Sequence, residues 1–217
     1  MLDRVSEAVE PSEPAEEPPA GLFERLRADP LRAPEHIALA ASEQHAPAAA
    51  SWAGRRRRVY GTNPRELGEM ARRRHVTMAS LEGAVTGVGG IVTLIPDLVG
   101  LAWIQSRLVF FVAAAYGYDP HDRMRPAELL VIQGLYADVA AARAALDGVG
   151  SSIAETYIGS KLQRDEALAK KLMVMVSKSA GKKVGRLIPG FAIAFNAVSN
   201  RRDTNALAKR AIKFYGG

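Results

Sequence analysis

Apolar residues recur along most of this chain at intervals of three and four, the spacing that lines up one face of an α-helix. The signal starts at Leu22, Phe23 and Leu26, which share a face, and Pro30 and Pro34 then punctuate the chain. Helices are predicted at about 35–45 and 47–59, with Pro47 separating them. Asn63-Pro64 reads as an N-cap followed by proline at the first helical position, and the helix it opens runs to about residue 81 through Leu67, Met70, Ala71, His75 and Met78. Residues 83–116 carry only two charges, Asp97 and Arg107, and Pro96 divides them into helices at about 82–94 and 97–116, the second ended by Gly117. Further helices are predicted at about 126–136, 138–146, 151–162, 165–183 and 187–198. A last one spans about 204–214, capped by Asp203 or Thr204. No segment sustains the alternation of a β-strand. The fold class is therefore all-α, a compact multi-helix bundle around a central apolar helix pair. A chain that is 48% hydrophobic and only 6% aromatic suits such a bundle.

The apolar block raises the question of a membrane. A spanning helix needs about 20 mostly apolar residues. Both candidate segments are interrupted, one by Pro96 and Asp97, the other by Arg107 at its centre. A central arginine costs roughly 2.5–3.5 kcal/mol on insertion scales. Two readings stand: a helix pair buried by its neighbours, or a hairpin dipping into the inner leaflet with Asp97 and Arg107 satisfied by protein. Gly83, Gly87 and Gly90 permit close helix approach in either.

Charge changes the picture at the ends. Residues 1–20 hold six acids and one base among prolines and alanines, a composition that cannot bury a core, so a disordered acidic tail is expected there. Residues 21–217 then hold 28 bases and 17 acids, a net +11. A body that basic is drawn to polyanions: anionic lipid, nucleic acid or its own tail. The absence of cysteine excludes disulfides, thiol catalysis and cysteine-ligated metals. Residues 1–5 lead into acids and prolines rather than an apolar signal segment, so a cytoplasmic protein is expected.

Three blocks resemble the EcsC family of bacterial proteins. One is Thr93-Leu94-Ile95-Pro96-Asp97-Leu98 with Trp103-Ile104-Gln105-Ser106-Arg107 and Tyr116-Gly117-Tyr118-Asp119. The second is Arg125-Pro126-Ala127-Glu128-Leu129-Leu130, running to Gln133-Gly134. The third is Gly185-Arg186-Leu187-Ile188-Pro189-Gly190 with Asn196, Thr204, Ala211 and Tyr215. The resemblance implies a helical protein whose founding member is encoded beside an ABC transporter linked to secretion, and it implies no established reaction. Three regions follow: a tail at 1–20, a helical extension at 21–62, and an EcsC-like helical domain at 63–217.

The candidate buried polar site comprises Asp97, Gln105, Arg107 and Asn196. Asp97 follows a proline at the start of an apolar helix, where an acid caps free amides and meets the positive dipole end, or else pairs with Arg107 or a ligand. His36, His45, His75 and His121 show no ligand spacing, so no metal and no cofactor is expected. Ser106 lacks a nucleophile elbow, and Gly87-Val88-Gly89-Gly90 lacks the lysine of a phosphate loop. The runs Arg55-Arg56-Arg57-Arg58 and Arg72-Arg73-Arg74 are candidates for an anionic surface. Four consecutive arginines wrap around a helix, so some must face outward. No helix-turn-helix or aromatic RNA platform accompanies them, so no specific nucleic acid is expected. The expected function is a non-enzymatic accessory protein at the inner membrane face, partnered by an anionic membrane surface or a membrane protein. The alternatives are a hydrolase-type enzyme at the Asp97 junction and, third, nucleic-acid binding through the arginines.

Overall fold

The computed structural model describes residues 17–85, 94–150, 152 and 201–217. Seven α-helices occupy them: α1 (Ala20–Ala28), α2 (Ala33–Tyr60), α3 (Pro64–Val85), α4 (Leu94–Ala115), α5 (Arg125–Ile132), α6 (Val139–Leu146) and α7 (Arg201–Gly216), with a 3-10 turn at Pro30–Arg32 before α2. No strand occurs among the described residues. Most of the tail, the helices expected at 151–162, 165–183 and 187–198, and Asn196 lie outside them.

Helix α4 is the axis of the bundle. Every residue from 102 to 115 is buried, because α2, α3, α5 and α7 all pack against it. A helix that is apolar all round is stable only when enclosed in this way. Leu108, Phe110 and Phe111 are each fully covered, and burial of such side chains contributes about 1.5–3 kcal/mol apiece. Among the described residues no helix is long and apolar enough to cross a membrane. Arg107, which argued against spanning, lies inside the protein with 2% of its surface exposed.

Cross-helix contacts give the directions. Along α2 and α4 the pairs His45–Trp103, Trp52–Phe111 and Arg57–Ala114 rise together, so these helices run parallel. Helix α3 runs the other way: His75 meets Phe111, and Gly68 meets Tyr116. Helix α7 is parallel to α4, with Thr204 at Gln105 and Gly216 at the Tyr116 ring. The C-terminal ends of α2, α4 and α7 therefore share one end of the bundle with the start of α3. Helix α5 also starts there, since Arg125 lies against Tyr118 and Tyr215.

Several element boundaries correct the sequence reading. The helices expected at 35–45 and 47–59 are one helix, α2, with Pro47 inside it. Pro47 and Glu43 both face solvent, so water can serve the carbonyl that proline leaves without a donor. Residues 82–85 continue α3 rather than opening a new helix. Helix α4 starts at Leu94, because Pro96 falls in its first turn, where no amide hydrogen is required. Helix α5 stops at Ile132, short of 136. There Gly134 turns left-handed (φ 79°), and the amides of Gly134 and Leu135 close back on the carbonyls of Val131 and Leu130 at 2.8 and 2.9 Å. Helix α7 begins at Arg201, so Asp203 and Thr204 lie within it rather than capping it. Asp138, where the helix at 138–146 was expected to begin, caps α6, accepting from the Ala141 amide at 2.8 Å.

Candidate functional site

The interior of the bundle carries a band of polar groups on α4. Gln105, Ser106 and Arg107 are consecutive, and all three are buried. Helical geometry sends their side chains to different neighbours. The Gln105 amide donates to the Thr204 hydroxyl of α7 at 3.1 Å. The Ser106 hydroxyl donates back to the Ala102 carbonyl at 2.8 Å, the ordinary way for a buried helical serine to satisfy itself. The Arg107 guanidinium lies over the Phe111 ring, 5.1 Å from its centre.

Two histidines from other helices complete the band. His45 of α2 packs on Trp103 with ring centres 4.5 Å apart, and His75 of α3 meets Phe111 edge-on at 5.0 Å. Both are fully buried. The His75 Nδ1 lies 2.8 Å from the Ala71 carbonyl, which only accepts, so Nδ1 carries the proton. Burial, then the Arg107 charge and His75, pull the His45 pKa from 6.5 down to about 3. His75 also falls to about 3: burial dominates, Arg107 and Arg74 add to it, and the Ala71 hydrogen bond opposes. Both rings are thus neutral at physiological pH, and the positive charge here resides on arginine. Among the described residues no group of three histidine or acidic side chains is arranged to hold a metal.

Of the predicted site, the structure joins Gln105 and Arg107 to this band. Asp97 is in the first turn of α4, while its side chain and Asn196 lie outside the described residues. His45 and His75 were not singled out from sequence, because each comes from a different helix and no spacing announces their meeting.

A second cluster was also missed. At the start of α5, Arg125 bonds to Glu128 and pairs with Asp122 at 3.4 Å. The Tyr215 hydroxyl of α7 donates to Glu128 at 2.7 Å, and the Arg125 guanidinium lies against both Tyr118 and Tyr215, 5.2 and 5.7 Å from the ring centres. Burial raises the Glu128 pKa against the opposing pull of Tyr215 and Arg125. Burial and the Glu128 charge push the Tyr215 hydroxyl far up, so it remains a donor. The three blocks that carry the family resemblance meet here through Tyr118, Arg125, Glu128 and Tyr215.

The arginine runs divide between structural and exposed roles. Arg57 donates to the Ala114 carbonyl and, at 2.8 Å, to Ala115, closing the C-terminal end of α4. Arg56 lies over Tyr60 at 5.1 Å, and Arg74 over Phe111 at 5.9 Å. Arg72 bonds to Glu69 at 2.8 Å and to Asn205 of α7 at 2.9 Å. Arg55, Arg58 and Arg73 are exposed.

Comparison with known proteins places this geometry in context. Residues 60–216 match the model of the EcsC protein family. The chain is similar to an uncharacterized protein, YdbA, of Bacillus subtilis (strain 168), 23% identical over 151 residues that make up 69% of this chain and 56% of that protein. The chain thus spans little more than half the length of that relative. No solved structure matches.

Proposed function

The chain belongs to the EcsC protein family, and we propose that it works as a non-enzymatic accessory protein, held peripherally at the cytoplasmic face of a membrane and engaging a membrane protein there. The observation that carries this reading is the split between the inside and the outside of the bundle. The most apolar helix, α4, is enclosed by other helices, so it is not available to insert, while Arg55, Arg58 and Arg73 face outward. They belong to a body with a net +11 over residues 21–217. Each basic residue near an anionic bilayer surface contributes about 1 kcal/mol, and several together suffice for reversible attachment. The acidic residues 1–20 compete with lipid for the same arginines.

Fractionation of cells expressing the chain tests this. The protein should accompany membranes at low ionic strength and leave them in a wash of about 1 M salt, where the screening length shrinks to ~3 Å. Absence from the membrane fraction at low salt would remove the membrane from the account.

A further inference from the structure

We propose that one end of the bundle is the membrane-docking surface, an apolar and aromatic cap rimmed by arginine and lysine that seats on anionic phospholipid headgroups; this rests on the peripheral reading above. The large apolar side chains exposed among the described residues are Val59, Tyr60, Tyr118, Phe214 and Val149. Four of the five belong to the end where α2, α4 and α7 finish. Val59 and Tyr60 close α2, whose Arg57 reaches the last carbonyls of α4. Tyr118 follows α4 and packs at a tilt against Tyr215, ring centres 5.0 Å apart, and Tyr215 in turn contacts Phe214 at 5.1 Å. Val149 lies at the opposite end, beside Gly150, whose carbonyl accepts from Arg32 at the start of α2.

The rim carries the charge complement. Arg58, Arg65 and Lys213 are exposed at this end, in the last turn of α2, the first turn of α3 and the last turn of α7. None of the three makes an ion pair among the described residues. Acids share this end: Glu66 and Asp119 are exposed, the Glu66 carboxylate accepting from the Asn63 side-chain amide at 3.4 Å and Asp119 from the His121 backbone amide at 2.9 Å, while Asp122 pairs with Arg125. Tyrosine and phenylalanine with flanking bases are the side chains that settle at the headgroup level, since their rings are apolar and the tyrosine hydroxyl and the bases stay wet.

The chain has no cysteine, so a single one can be labelled cleanly. Tyr60→Cys and Val149→Cys, each carrying an environment-sensitive nitrobenzoxadiazole dye, are titrated with vesicles of phosphatidylglycerol and phosphatidylcholine while sedimentation of the same samples is followed. The dye at 60 should brighten and shift to the blue as protein pellets, and the dye at 149 should not. The double variant Tyr60→Ser/Phe214→Ser should bind these vesicles at least tenfold more weakly, with the circular dichroism of the parent. Pelleting with an unchanged dye at 60, or equal responses at both ends, overturns this surface and leaves the peripheral reading intact. A double variant that is folded and binds like the parent does the same. Absence of pelleting at low salt overturns both.

Discussion

Arg107 and its two histidines set the chemistry of the interior. A guanidinium buried in apolar helix α4 carries a desolvation cost that its contacts must offset, and the Phe111 face beneath it is one of them. Replacing it by alanine leaves a cavity and strips its partners, so Arg107→Ala should destabilise the fold by about 3–5 kcal/mol in urea denaturation. A variant as stable as the parent would mean that the side chain faces solvent. The histidines make stability depend on pH. Their folded pKa values, about 3, lie below the unfolded 6.5. Below pH 6.5 the unfolded chain therefore takes up protons that the folded protein refuses, and stability falls as the pH falls. The loss is about 2 kcal/mol for each histidine by pH 5, and above pH 7.5 they contribute no slope. Urea midpoints should drop between pH 7.5 and 5, and His75→Leu should roughly halve that drop. A flat profile over this range would contradict the burial of both rings.

At the scale of elements, close approach decides what substitutions do. A Cβ added at Gly68 of α3 would sit 2.8 Å from the Tyr116 ring, and one at Gly216 of α7 would sit 2.8 Å from the other side of the same ring. Gly68→Ala gains about 1 kcal/mol of helix propensity but must displace an aromatic ring held between two helices, which costs about 1–3 kcal/mol. Its melting temperature should fall, and restoring it with Tyr116→Leu in the same chain would confirm the contact. Arg57→Ala should cost about 1–2 kcal/mol in the same assay, since it frees the last carbonyls of α4. These contacts also mark how far the elements could be read in advance. The three-and-four spacing located nearly every described helix, and Gly117 and Asp138 gave true ends. Pro47 misled because its cost depends on whether the bereft carbonyl meets water, a tertiary fact. Arg107 and Gln105 stood out as polar residues within an apolar run. His45, His75 and the Arg125–Glu128–Tyr215 cluster did not, since each group is assembled from separate helices. Arg57 read as one surface base among four until the end of α4 was seen beside it.

For the whole molecule, the decisive feature is a closed apolar interior under a basic exterior. The bundle keeps α4 to itself, so any attachment to a bilayer depends on exposed charge and on what the helix ends present, and both act only at short range in salt. The acidic residues at the start of the chain belong to the same balance. Removing residues 1–16 takes away five acids and one base, and binding to anionic vesicles should strengthen accordingly. The measurement that bears most directly on the account is co-sedimentation of the full chain with vesicles of phosphatidylglycerol or of phosphatidylcholine across a salt series. The account predicts pelleting with the anionic vesicles at low salt, release by about 1 M salt, and little pelleting with the neutral ones at any salt. Equal pelleting with both lipids, or retention on anionic vesicles at molar salt, would contradict it.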